Sequence, residues 1–172
     1  VTNVGDYAFY ACLTLAEVEL PEGMTDIGQG AFRDCTKLKA VEIPEGVKYI
    51  RGSAFYNCTG LESVALPEGL ESIGSYNYGA FQGCTSLKSI VIPDSVTSLE
   101  NDVFQDCSSL TSVHIGEGVT SIPYKTFYGC SSLVSVNIPE SVTSIKSYAF
   151  EYCSSLQSLS IPDSVGSIGE RT

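Results

Sequence analysis

The pattern Phe-x-x-Cys-x-x-Leu occurs seven times in the 172 residues of the chain, and its spacing constrains the fold more than any other feature. Successive copies are separated by 23, 23, 26, 23, 23 and 23 residues, and their phenylalanines are Phe9, Phe32, Phe55, Phe81, Phe104, Phe127 and Phe150. A fixed period of this length is typical of a solenoid, in which each repeat forms one coil stacked on the next. Because each coil buries its apolar side chains against its neighbours, we expect one continuous array over residues 1–172.

Each repeat contains a short segment in which apolar and polar residues alternate, as in Val41-Glu42-Ile43. This alternation predicts a strand with one face turned inward. A Pro-Glu-Gly turn, or a close variant of it, follows most of these segments, because proline cannot continue the hydrogen-bond ladder of a strand. We expect the strands to stack into a parallel sheet, near residues 17–20, 40–43, 63–66, 89–92, 112–115, 135–138 and 158–161.

Two further segments complete each predicted coil. Pairs of apolar residues such as Val47 and Ile50 predict a second row of short extended segments, with these side chains turned inward. The segment Ala-Phe-x-x-Cys predicts one tight helical or 3₁₀ turn, because its three named residues then share a buried side.

The 23-residue period is interrupted once. Ile73 and Phe81 are eight residues apart, whereas the equivalent residues of the other internal repeats are five apart. The three additional residues lie within 74–79 and must bulge outward if the flanking residues keep their buried positions. Two tyrosines, Tyr76 and Tyr78, lie in this bulge, and we regard them as a candidate interaction site.

These motifs resemble the BspA-like (Treponema-type) leucine-rich repeat, whose consensus joins Leu-x-x-Leu-x-Leu-Pro to Ile-x-x-x-Ala-Phe-x-x-Cys. The resemblance covers essentially the whole chain. It implies a β-rich leucine-rich-repeat solenoid of the α/β repeat class, with about seven 23-residue turns, a parallel β-sheet face and short 3₁₀ or helical turns. It also implies a cell-surface or extracellular location and a role in adhesion and protein binding. The family has no shared catalytic residues, so the resemblance implies no cofactor.

The composition excludes several classes of partner. The chain carries a net charge of −11 at pH 7, so nucleic acid and anionic membranes would be repelled. No apolar run approaches the roughly 18 residues that a membrane helix needs, so we expect no membrane insertion by this segment. Because the sequence begins and ends in mid-repeat, we expect it to be a piece of a longer protein.

Two columns of repeated residues carry chemically distinctive side chains. One cysteine per repeat is expected in the core as a reduced structural residue, because free cysteine behaves as a small buried hydrophobe. The acidic residue of each turn is expected to be solvated and to help fix the local backbone, with cation binding as the alternative. One column supplies too few oxygen ligands for a tight calcium site, and we predict no metal site. The acidic column consists of Glu22, Glu45, Glu68, Asp94, Glu117, Glu140 and Asp163.

The outward face of the predicted strands is the candidate binding surface, since extended faces of solenoids commonly bind partners. Its residues are acidic toward the N-terminal end and small and nearly neutral toward the C-terminal end. A merely solvated sheet would have the same composition, and the sequence leaves both interpretations open. The candidate residues are Glu17, Glu19, Glu42, Ser63, Ser89, Val91, Ser112, His114, Ser135, Asn137 and Ser158.

The sequence therefore predicts a non-enzymatic module that binds a protein or extracellular-matrix ligand. His114 is the only histidine, and no nucleophile or second base accompanies it, so we predict no catalytic residues. The alternative is a passive spacer or stalk within a larger surface protein. Apolar side chains in the first and last repeats also predict end-to-end self-association as a possibility, because terminal repeats of solenoids usually need polar caps.

Overall fold

The computed structural model describes residues 1–75 and 78–172, which form a β-solenoid of about seven turns. Every strand is short. In chain order the strands of the described residues are β1 (Asn3–Val4), β2 (Asp26–Ile27), β3 (Ala40–Glu42), β4 (Tyr49–Ile50), β5 (Ser63–Ala65), β6 (Ser72–Ile73), β7 (Ser89–Ile92), β8 (Ser98–Leu99), β9 (Ser112–Ile115), β10 (Ser121–Ile122), β11 (Ser135–Asn137), β12 (Ser144–Ile145) and β13 (Ser167–Ile168).

The strands form two parallel rows along the solenoid. The first row contains the sheets β3–β5 and β7–β9–β11, and the second contains β1–β2–β4–β6–β8 and β10–β12–β13. Pairing follows the repeat, so Val41 lies opposite Val64, and Ile90 lies opposite Val113. The predicted second row of extended segments is therefore confirmed.

Side-chain alternation gives the first row one buried and one exposed face. Val41 is 2% exposed, whereas its strand neighbours Ala40 and Glu42 are exposed. Each buried β-branched residue packs against its equivalents in adjacent coils, and this packing fits such residues well. The core is therefore a set of columns running along the solenoid.

The prediction of seven strands in the first row was wrong at both ends. Residues 17–20 and 158–161 have no strand conformation. The first and last coils have a neighbour on one side only, so each has half the ladder partners of an internal coil. Burial is incomplete there as well: Val18 is only half-buried and Ile161 is 44% exposed.

The segment Ala-Phe-x-x-Cys was predicted to form a helical or 3₁₀ turn, but it forms a non-helical turn. The described residues contain no helix, and therefore none that could cross a membrane. The Cys35 N–H donates to the Phe32 carbonyl of its own coil, but the Phe32 N–H donates to the Ala54 carbonyl of the next coil (N–O 3.1 and 2.8 Å). The Asp34 N–H donates to the Tyr56 carbonyl of the next coil (2.8 Å), and the left-handed backbone at Asp34 (φ 62°) is incompatible with a continuing helix. The segment therefore ties neighbouring coils together.

The seven phenylalanines form one continuous stack through the solenoid. Adjacent ring centroids are 5.2–5.7 Å apart and their planes are within 16° of parallel. The five internal rings, Phe32 to Phe127, are fully buried, whereas Phe9 is 37% exposed. The ring spacing is close to the roughly 4.8 Å between strands, so the stack follows from the repeat itself.

The insertion leaves the columns on both sides of it intact. Ile73 pairs with Leu99 of the next coil, and the Phe55 and Phe81 rings remain stacked at 5.2 Å. Ser75 and Tyr78 form an antiparallel bridge across the base of the inserted segment. The expectation that the flanking residues keep their buried positions is thus confirmed.

Candidate functional site

The outward side chains of the first row form a surface that we call the strand face. Two files of side chains run along it in register. Ser89, Ser112 and Ser135 form the first file across β7, β9 and β11, and the equivalent residues at the N-terminal end are Ala40 and Ser63. The second file, two residues later, contains Glu42 and Ala65 in one sheet and Val91, His114 and Asn137 in the other. All of these residues are exposed, as the sequence predicted.

Three candidate face residues lie outside the strands. Glu17 and Glu19 precede β3 and are exposed, but their segment does not extend the ladder. Ser158 is exposed in the last coil, which also lacks a strand in this row. The structure therefore brings eight of the eleven predicted face residues onto strands and leaves these three on the flanking coils.

The N-terminal end of the strand face contains a concave region of about 700 Å³ that we call the N-terminal hollow. Apolar side chains that contribute to its lining are Val18, Leu20, Ala40, Ile43, Pro44 and Ala65. Five glutamates line it as well, and they are Glu17, Glu19, Glu22, Glu42 and Glu45. The predicted acidic end of the face is thus a lined concavity, which the sequence pattern alone did not indicate.

The acidic turn column is solvated in all seven repeats. In the one case in which a turn acid is bonded across coils, Asp94 accepts a hydrogen bond from the Glu117 N–H (2.9 Å). Within residues 1–75 and 78–172, no group of three or more His, Cys, Asp or Glu side chains is arranged to hold a metal ion. The column is thus solvated, as predicted, and among the described residues Asp94 is the turn acid whose carboxylate bonds to backbone.

The cysteine column lies in the core, as predicted, apart from Cys12, which is half-buried. All seven thiols are free. From Cys35 onward each thiol donates to the carbonyl of a phenylalanine in the preceding coil; Cys58, for example, donates to Phe32 (Sγ–O 3.0 Å). Burial raises the pKa of these thiols, and that of Cys153 to about 11. The column therefore joins coils through hydrogen bonds and is unsuited to thiolate chemistry.

The tyrosine bulge is described only in part. Tyr76 lies outside the described residues, whereas Tyr78 is 51% exposed. Ser75 accepts a hydrogen bond from the Gly52 N–H through its hydroxyl (3.0 Å) and joins Tyr49, Arg51 and other residues around a smaller hollow of about 440 Å³. The bulge therefore borders a concave surface on the side of the second row.

A separate cluster contains four of the tyrosines that lie around the Ala-Phe-x-x-Cys segments. The rings of Tyr124 and Tyr148 meet edge to face at 5.4 Å, and those of Tyr128 and Tyr152 do so at 5.2 Å. The Lys125 ammonium lies over the first ring of each pair, at 5.4 and 4.8 Å from the centroids. The two tyrosines of each pair are 24 residues apart in the sequence, one more than the 23-residue period. This offset was the sequence signal available for the cluster.

His114 is an exposed strand-face residue between Val91 and Asn137 of the neighbouring strands. No hydrogen bond or ion pair involves its side chain within the described part of the chain. Among the described residues, no hydrogen-bonded group therefore orients its imidazole.

Comparisons with known proteins agree with this architecture. The sequence profile of the BspA type leucine rich repeat region matches six copies, over residues 2–80 and 77–172. The crystal structure of a leucine-rich repeat protein from T. pallidum is 38% identical, with a TM-score of 0.84, over 91% of this chain and 72% of that one. No curated protein matches the chain.

More distant solved structures share the fold alone. A leucine-rich cell surface protein from Faecalibacterium prausnitzii is 21% identical with a TM-score of 0.50, over all of this chain and 77% of that one. The pneumococcal vaccine antigen PcpA is 24% identical with a TM-score of 0.55, over 98% of this chain and 50% of that one. Both show that the same coil tolerates wide variation in sequence.

Proposed function

The chain belongs to the BspA-type leucine-rich repeat family, and on that premise we propose that it is a non-enzymatic protein-binding module of a cell-surface or secreted protein. We propose further that it functions in adhesion by binding a protein or matrix ligand along the strand face. Cell-surface exposure is inferred from the family, whose fold recurs in a protein described as a leucine-rich cell surface protein.

The observation that carries the proposal is the in-register exposure of the strand face. Side chains of β7, β9 and β11 lie in two files in register, and Val91 at the β7 end of one of them is 60% exposed. The neighbouring Ser89 and Ser112 are small, so a partner can approach the sheet closely. A regular surface of this kind spans several coils, and no catalytic arrangement accompanies it in the described residues.

Capture from a solubilised basement-membrane preparation tests this function. The chain is immobilised, and the retained proteins are compared with those held by a Ser112→Arg variant. Ser112 lies on the central strand of the β7–β9–β11 sheet, so the added arginine blocks both files. We expect the wild-type chain to retain specific proteins and the variant to lose them with an unchanged circular dichroism spectrum.

Thr120→Arg is the matched control, because Thr120 is exposed in the same coil but lies beside the second row. We expect this variant to retain the same proteins as the wild type. Equal loss from both variants would contradict a specific role of the strand face. Retention of nothing by the wild-type chain would favour a passive spacer.

A further inference from the structure

The N-terminal hollow concentrates five glutamates on the first two coils. Within residues 1–75 and 78–172 the acidic partners in ion pairs are Asp26, Asp34, Glu62, Glu71 and Glu151. None of the five hollow glutamates is among them, and all five are at strand-face or adjoining turn positions on the first two coils. Among the described residues, no lysine or arginine therefore forms an ion pair with these carboxylates.

The hollow combines these carboxylates with an apolar lining. Val18 and Leu20 are half-buried, so their side chains contribute apolar surface beside Glu17 and Glu19. Lysine and arginine side chains bury aliphatic stems on apolar surface while their charged heads remain among polar groups.

We propose that the N-terminal hollow receives a basic segment of the protein partner, with its lysine or arginine side chains lying between the apolar lining and the glutamates. The inference deepens the proposed function and rests on it. It follows from charge complementarity and from continuity of the hollow with the strand face through β3 and β5. A metal ion fits less well, because the described carboxylates do not converge in any group of three.

The charge gradient of the face then determines the orientation of the partner. Its basic segment lies over Glu19 and Glu42, and a neutral segment continues over Ser112 and Asn137 of the C-terminal sheet. Complementary charge at one end increases the association rate and sets the register of the complex. Binding is therefore expected to weaken as salt increases.

An octa-arginine peptide labelled with a fluorophore is the probe, and its affinity is measured by anisotropy in low salt. The double variant Glu19→Gln/Glu42→Gln removes two carboxylates from the hollow. The control, Glu117→Gln/Glu140→Gln, removes two exposed turn carboxylates outside it. Both variants change the net charge from −11 by two units, to −9, so long-range attraction is matched.

We expect the hollow variant to weaken peptide binding at least fivefold, since two surface ion pairs are lost, and the control to weaken it less than twofold. NMR shifts on adding the peptide are expected to cluster around Glu19 and Ala40. Equal weakening by both variants, or shifts spread over all seven acidic turns, would overturn the proposal. Displacement of the peptide by calcium ions alone, without added protein or peptide, would also overturn the proposal, because it would identify the hollow as a metal site.

The capture experiment separates this inference from the proposed function. Loss of captured proteins in both Ser112→Arg and the hollow variant supports the two together. Loss in Ser112→Arg with full retention in the hollow variant overturns the basic-segment inference and leaves the binding function intact. A third outcome is that the chain binds the peptide at the hollow but captures no matrix protein. This result overturns the proposed function, and with it the inference that a partner's basic segment lies in the hollow.

Discussion

Replacing Ser53 with alanine is expected to stabilise the protein. Ser53 is 1% exposed, and its hydroxyl has no hydrogen-bond partner among the described residues. Its backbone has a left-handed conformation with φ of 57°. Alanine retains the Cβ atom, so the backbone strain at this position is nearly the same in both proteins and the comparison isolates the hydroxyl.

The expected gain in the free energy of unfolding is about 1 kcal/mol. An unsatisfied buried polar group costs about 1–3 kcal/mol, and loss of the small packing contact made by the oxygen offsets part of this. Ser95 provides a control of opposite sign, because its half-buried hydroxyl donates to the Leu70 carbonyl (2.6 Å). Ser95→Ala is expected to destabilise by about 1 kcal/mol, the net value of a typical hydrogen bond.

Urea denaturation of both variants and the wild type measures these free energies. The slope with urea must be equal in the three proteins, because a changed slope would report a change in the cooperative unit of the repeat array. Destabilisation by Ser53→Ala, or the same sign of effect for both substitutions, would refute the assignment of an unsatisfied hydroxyl at Ser53.

Four further predictions concern the core, one acidic residue and the ends of the chain. A thiol reagent at pH 8 is expected to label Cys12 first and the other six cysteines only on denaturation, since burial raises the pKa of those six; rapid native labelling of Cys107 would contradict this. Phe104→Ala is expected to cost about 3–5 kcal/mol by urea denaturation, and Phe9→Ala clearly less because one face of that ring has no stacking partner; equal costs would contradict the stack. Burial raises the pKa of Asp102 in the folded state, so the folded state loses stability as pH rises above the pKa of about 3.9 in the unfolded chain. Asp102→Asn is therefore expected to stabilise the protein at pH 7 but not at pH 3, as measured by urea denaturation. Light scattering is expected to increase with protein concentration through end-to-end association, and a strictly monomeric sample would refute this.

Most of the internal coil was predictable because every repeat faces the same physical requirements. Val41 and Glu42 differ in polarity, so their opposite orientations on β3 follow from alternation alone. The exact 23-residue period then places Val64 and Ala65 opposite them, without any information on long-range contacts. Register, column membership and exposure thus all follow from a single aligned repeat.

One backbone feature was marked by residue type and was still missed. Asp34 lies two residues after its phenylalanine and has a left-handed backbone (φ 62°). All seven residues at this position have positive φ, and five of them are Asp, Asn or Gly, which favour that conformation. The position two residues before the phenylalanine is left-handed in most coils as well, but there Lys125 and Tyr148 (φ 53° and 63°) have no such preference. The helical interpretation of Ala-Phe-x-x-Cys failed because left-handed residues interrupt a helix, and the bonds from thiols to carbonyls between coils were missed with it.

The candidate site was the least predictable part because it is the part that the repeat does not constrain. Column positions that face inward are apolar in nearly every coil, with Thr126 as a buried exception, and their identity therefore carries information on folding. Positions such as Glu19, Glu42, His114 and Asn137 face solvent and differ from coil to coil. Differences along a column cannot arise from a stacking requirement shared by all coils, so the change from glutamate to neutral side chains is the part of the strand face that can encode a partner. Variants that change the charge of the hollow therefore test which partner binds, whereas variants of the regular sheet test only whether the strand face is used.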